Sequence, residues 1–217
     1  MARPTDANAK QTRHRVLTAA SQLFSDRGSD GSSMRDIARA AKVSQATVHH
    51  YFGSKAELRE AVVEAMYAEL ATLQDELGEI ARDAVVQADL DLGELITRIV
   101  QTSFRFCLQH LSAVRMTTRD AIDGHKEHHR RRGDVLLPFL DATSSWLGDA
   151  TGKEAPALRL ALRSCSLLIV RYALLPPDEM NELLGVTNGS CREHDEITLA
   201  AVEKHLSEAA RALLLAS

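Results

Sequence analysis

Residues 33–55 read SMRDIARAAKVSQATVHHYFGSK, and their pattern decides the fold. Ser33 is a good helix N-cap, and Ile37, Ala38 and Ala41 recur behind it at helical spacing, so a short helix begins there. Val43 follows as an apolar plug at a turn, and Ser44 caps a second helix. On that second helix Ala46, Val48 and Phe52 are expected to face inward, leaving Gln45, Thr47, His49, His50 and Tyr51 to offer hydrogen-bonding groups outward. Gly53 suits a helix C-terminus, and Ser54 with Glu57 three residues later makes a capping box that opens a third helix. Lys55 then stands in a first helical turn, where the helix end already carries partial positive charge; a bound phosphate resolves that mismatch.

Two short helices joined by a tight turn form a helix-turn-helix, whose second helix fits the major groove of DNA. There Gln reads adenine with two hydrogen bonds, and Thr touches a thymine methyl or a phosphate. The plainer reading of the same polar helix is a solvated face, since helix-turn-helix units also occur in proteins that never meet DNA. Charge favours the nucleic-acid reading. Residues 1–60 hold ten Lys/Arg against six Asp/Glu, a net of +4, and the remainder holds sixteen against twenty-four, a net of −8. A basic head on an acidic body is hidden by the overall −4 and the pI near 6.1. Arg3, Lys10, Arg13 and Arg15 read either as a basic N-terminal arm or as an ordinary loose terminus.

Several of these positions agree in order and spacing with a known family. The helix-forming stretch Gln11 to Asp26, then Gly28, the run Met34-Arg35-Asp36-Ile37-Ala38, Val43-Ser44, Thr47, Tyr51-Phe52, Lys55 and Leu58 together resemble the TetR family of one-component transcriptional regulators over roughly residues 10–60. The resemblance implies an all-α protein: an N-terminal three-helix helix-turn-helix DNA-binding domain (1–54) followed by a larger helical effector-binding and dimerisation domain (55–217). By position it implies that Arg35, Gln45, Thr47 and His49 face bases, that His50, Tyr51 and Lys55 hold phosphates, and that Ser33 and Ser44 are caps able to do the same. It also implies a homodimer, most often a repressor, on a palindromic double-stranded operator, released by a small-molecule effector. Two positions depart from the family pattern. Lys42 stands at the turn where Gly is usual, which calls for a positive φ on a residue with a Cβ, and His49-His50 replaces an aromatic-first pair.

Length and composition agree with a helical protein. The chain has 217 residues, 45% hydrophobic, with only five prolines and eleven glycines, and its long Ala/Leu/Glu/Arg-rich runs need no strand. The longest apolar run, near Ser166 to Leu175, is broken by Arg171, and no signal-like N-terminus precedes the head, so a soluble cytoplasmic protein is expected. The first long helix of the body is expected from Ser54 to about Glu79. The next, from about Leu92 to Leu111, carries apolar residues on more than one face and reads as central. A short and then a longer helix are expected within 113–149, where Pro138 marks a kink or a first turn; two more run over 155–175 and 195–215, with one turn near Met180 to Leu184 between them. Phe104, Phe106, His110, Met116, Trp146 and Tyr172 are the candidate effector-pocket residues, although plain core packing is the favoured reading of each one taken singly.

No catalytic constellation and no cofactor motif is present, so the chain is not read as an enzyme. His125, His128 and His129 share a helical face at i, i+3, i+4 spacing, but without HExxH and beside Arg130-Arg131-Arg132 they read as solvated surface rather than a metal site. Cys107, Cys165 and Cys191 are odd in number and lack metal spacing; the first two read as small core residues, and Cys191 as an incidental exposed thiol before a redox-responsive one. The rival readings are a helical adaptor and a metal-dependent protein, neither binding DNA.

Overall fold

The computed structural model describes residues 6–28, 31–86, 91–124, 132–185 and 196–215, and among these every regular element is helical. The helices are α1 (Asp6–Arg27), α2 (Met34–Ala40), α3 (Gln45–Phe52), α4 (Lys55–Val86), α5 (Leu92–Gln109), α6 (Leu111–Asp123), α7 (Leu137–Thr151), α8 (Ala155–Ala173), α9 (Pro177–Leu183) and α10 (Glu196–Leu215). A π-helical turn, Arg132–Leu136, leads into α7, and Pro138 stands in that helix's first turn.

Two compact units divide the chain. The first contains α1, α2, α3, the part of α4 up to Leu70, and α6 from Ser112; the second contains α4 from Ala71, α5, and the elements from Gly133 onward. In the first, Val16, Ala20, Phe24, Ile37, Val48, Phe52, Leu58 and Val62 form the core. Helix α6 is tied into this unit by polar contacts from far along the chain. Arg59 on α4 pairs with Asp120, both largely buried; Ser112 Oγ donates to Gln22 Oε1 at 2.5 Å, and Arg115 stands 3.9 Å from Asp26.

The second unit is assembled from α5, α8 and α10, which pack pairwise, with α7 laid on α8. Leu95, Ile96, Val100, Phe104, Leu158, Ile169, Val202 and Leu206 are buried there. Arg105 spans from α5 to the buried Glu203 of α10 with two hydrogen bonds, 2.7 and 3.1 Å, and that carboxylate raises the guanidinium's pKa further. Gly93, at the start of α5, lets α10 approach so closely that a Cβ there would stand 2.9 Å from the Arg211 guanidinium.

Three sequence expectations change. Helix α4 runs on to Val86 rather than ending near Glu79, because Gly78 costs a helix interior only about 1 kcal/mol and the following residues are ordinary helix formers. Helix α5 is not apolar all round: Glu94, Arg98, Arg105 and Gln109 give it an exposed stripe. Lys10, Arg13 and Arg15 belong to α1 rather than to an arm, and the Arg13 guanidinium lies over the Phe52 ring at 5.3 Å from its centroid. Arg3, His125, His128, His129, Arg130, Arg131 and Cys191 lie outside the described residues. Among the described residues, no helix is long and apolar enough to cross a membrane, and no group of His, Cys, Asp or Glu is placed to hold a metal ion. Cys107 and Cys165 are buried, and burial pushes each thiol up to about 11, which keeps them protonated.

Candidate nucleic-acid interface

The interface is built from short-range devices. Ser33 caps α2: its Oγ accepts from Asp36 N at 3.1 Å, while Asp36 Oδ2 accepts from the Ser33 hydroxyl at 2.5 Å and from the Ser33 backbone N–H at 3.4 Å. These bonds, the hydroxyl's first, hold the Asp36 carboxyl below its ordinary pKa. Helix α2 then ends in two crossed bonds, Val43 N to Ala38 O at 3.0 Å and Lys42 N to Arg39 O at 3.2 Å, the Schellman pattern. Its left-handed residue is Lys42, at φ 57°, as the departure from glycine required. The Lys42 side chain is exposed.

Ser44 caps α3, accepting from Thr47 N at 3.0 Å, and its hydroxyl also lies 2.8 Å from Thr47 Oγ1. With Val48 and Phe52 buried, Gln45, Ala46, His49 and His50 are exposed and Thr47 and Tyr51 half-buried. Ala46 is exposed rather than inward, because two residues of helix carry it about 200° from Val48. Gln45, His49 and Gly53 follow one another at i, i+4 spacing along the surface. Gln45 Nε2 lies 3.4 Å from His49 Nε2, and His49 Nδ1 lies 2.7 Å from the carbonyl oxygen of Gly53. The His50 ring meets Tyr51 edge-on at 5.4 Å, and Tyr51 leans on Phe52 at 6.4 Å.

The junction to α4 is a complete capping box. Glu57 Oε2 accepts from Ser54 N at 2.7 Å, and Ser54 Oγ accepts from Glu57 N at 3.2 Å. Hydrogen bonds from Ser54, its side chain first, hold the Glu57 carboxyl below its usual range. Lys55 Nζ donates to Ser32 O at 3.4 Å, and Ser32 is itself buried, with its Oγ donating to Leu23 O and Gly28 O at 3.1 and 3.0 Å. Lys55 is thereby held against the loop that leads into α2.

All nine residues read from the sequence as DNA-facing lie in the first unit. Ser33, Arg35, Ser44, Gln45, His49 and His50 are exposed, and Thr47, Tyr51 and Lys55 are half-buried. Helices α2 and α3 pack against each other, so Arg35 and the α3 side chains belong to one block. The link from His49 to the Gly53 carbonyl was not anticipated, although its i, i+4 spacing was visible in the sequence.

The profile described as "Bacterial regulatory proteins, tetR family" matches residues 16–62, the α1–α4 segment just described. The HTH-type transcriptional regulator UidR of Escherichia coli (strain K12) is 35% identical over 184 residues, which cover 81% of this chain and 85% of UidR. The chain belongs to the TetR family. It carries that family's helix-turn-helix DNA-binding unit and is a transcriptional regulator, not an enzyme. A shorter match joins it to the HTH-type transcriptional regulator BetI of Rhizobium meliloti (strain 1021), 35% identical over 95 residues. That match takes in 43% of this chain and only 42% of BetI. In fold, a TetR-like transcriptional regulator from Rhodococcus sp. RHA1 superposes with a TM-score of 0.66 at 20% identity, covering 97% of each chain.

The six candidate pocket residues of this TetR-family chain divide between the units. Met116 is buried in the first; Phe104, Phe106, His110, Trp146 and Tyr172 belong to the second. Phe104 is fully buried, whereas the other four are half-buried. Phe106 stacks on His110 with ring centroids 4.4 Å apart, and the Tyr172 hydroxyl lies 3.2 Å from His205 Nε2.

Proposed function

We propose that this regulator is a cytoplasmic repressor that binds a palindromic operator as a homodimer and is released when a small molecule binds residues within 55–217. The observation that carries the reading is α3 itself: two inward residues, a Ser44 cap and an outward row of Gln45, Thr47, His49 and His50 beside Arg35. Gln45, Thr47, His49 and Arg35 face bases in this reading, and His50, Tyr51, Lys55, Ser33 and Ser44 hold phosphates. In this reading residues 1–54, together with Lys55, carry the DNA contacts, and they lie within the first compact unit.

The second copy is supported by large apolar side chains left exposed on α8 and α10: Leu160 and Leu167 on one, Ile197 and Leu213 on the other. Two-fold symmetry then sets two α3 helices roughly 34 Å apart, one turn of duplex. An effector that prefers the non-binding state a hundredfold supplies about 2.7 kcal/mol of coupling against operator binding. Phe104, Phe106, His110, Trp146 and Tyr172, all of the second unit, are the residues proposed to meet it.

Selection of bound duplexes from a random pool tests the proposal. A palindromic consensus is expected, with affinity falling steeply as salt rises and Lys55→Ala weakening binding to every sequence alike. Absence of any complex, even in dilute buffer, overturns it.

A further inference from the structure

The row Gln45, His49, Gly53 has a direction that chemistry fixes. A carbonyl oxygen only accepts, so His49 Nδ1, 2.7 Å from Gly53 O, must carry its hydrogen. In the neutral imidazole the other nitrogen then holds only a lone pair. His49 Nε2 therefore accepts, and what stands 3.4 Å from it is the amide nitrogen of Gln45, a donor. The chain of bonds runs Gln45 N–H to His49, and His49 N–H to Gly53.

Its far end is anchored in backbone. Gly53 sits at φ 67°, ψ −105°, its N–H donates to His49 O at 2.9 Å, and a Cβ at this position would collide with the Glu57 carboxylate of the capping box. The carbonyl that orients His49 is thus set by a conformation that only glycine adopts readily. A side-chain amide left to itself rotates between two states that exchange its donor and acceptor. Here one amide hydrogen is committed to His49, which leaves the second hydrogen and Oε1 directed elsewhere. Adenine requires that same pair, a donor for N7 and an acceptor for the N6 amino group.

We propose that His49 is a positioning residue for Gln45: by accepting one amide hydrogen it selects the amide orientation, and so the base preference, at the position Gln45 reads. This rests on the DNA-reading role proposed above and departs from it in one respect, because His49 acts through Gln45 instead of touching a base of its own.

The experiment is duplex selection with the full chain and four variants, Gln45→Ala, His49→Ala, His49→Gln and the Gln45→Ala/His49→Ala double. The helical circular dichroism signal serves as the control for folding; both side chains are exposed, so it is expected to stay unchanged. Gln45→Ala and His49→Ala are expected to relax preference at the same base pair by about tenfold, the range of one bidentate contact. The double variant is expected to relax it no further than Gln45→Ala alone, the signature of residues acting as one unit. His49→Gln, whose Oε1 can accept the same hydrogen, is expected to restore part of the preference. The positioning role is overturned if His49→Ala relaxes a different base pair, if the two losses add, if His49→Gln recovers nothing, or if Gln45→Ala leaves preference intact on DNA that is still bound. If the unaltered chain selects no duplex at all, the regulatory reading falls first and this one with it.

Discussion

The two units fix their polar groups over different distances. In the first, the surface from Ser33 to Glu57 is held by bonds that close within five residues: Ser33 with Asp36, Val43 with Ala38, Ser44 with Thr47, His49 with Gly53, Ser54 with Glu57. In the second, the polar contacts reach much further, with Arg105 and Glu203 separated by 98 positions and Tyr172 and His205 by 33. Local bonds set the conformation of a presented surface before anything binds it. Distant bonds choose which helices become neighbours, and leave the surface to be decided by packing. The first unit has exceptions, Lys55 with Ser32, Ser112 with Gln22 and Arg115 with Asp26 among them; the most buried exception, the Arg59–Asp120 pair, 61 positions apart, joins α6 to the head.

That exception is where the contrast is most easily broken. Asp120→Ala leaves the Arg59 guanidinium largely buried without its carboxylate, and removal of one partner of a buried pair costs about 3 kcal/mol. Urea unfolding of the full chain is expected to show that loss, whereas a loss of only a few tenths would place α6 outside the first unit's cooperative structure. A smaller effect of opposite sign is expected at the turn. Lys42→Gly removes a Cβ from a left-handed position and should stabilise by about 1 kcal/mol, read as a higher denaturation midpoint, while slightly weakening binding to all duplexes because an exposed cation is lost.

The smallest effect is on pH. Asp36 and Glu57 both have folded pKa values below the ordinary carboxylate value, so each unfolded form takes up its proton first as pH falls. The stability these two groups add is complete above the usual carboxylate range and disappears as pH drops through their folded values. A thermal melt followed from pH 6 to pH 3 should lose less in Asp36→Asn/Glu57→Gln than in the unaltered chain. Equal losses would mean the capping carboxylates add nothing.

The same difference in distance explains what the sequence revealed. Both N-caps, the capping box and the strained turn at Lys42 are readable because donor and acceptor lie within a few positions and their residue types are diagnostic. The exposed stripe of α5 was also readable: Glu94, Arg98, Arg105 and Gln109 recur at helical intervals, but the apolar residues between them dominated the reading. Nothing local announces that Asp120 meets Arg59, or that Met116 is buried with the head while Phe104 is buried in the body. Such pairings follow from three-dimensional packing, for which neither periodicity nor capping offers a code. The inward placement expected of Ala46 failed for a simpler reason, since two residues of helix turn it about 200° from the buried Val48.

Because α6 belongs with helices encoded more than forty positions earlier, the DNA-reading end is not a cassette that molecular cloning can excise. A fragment stopping at Leu70 keeps Arg59 but discards Asp120, stranding a largely buried cation without its carboxylate. Chimaeras that graft this end onto another regulator will need to carry residues 112–124 as well, or supply an equivalent carboxylate from the recipient.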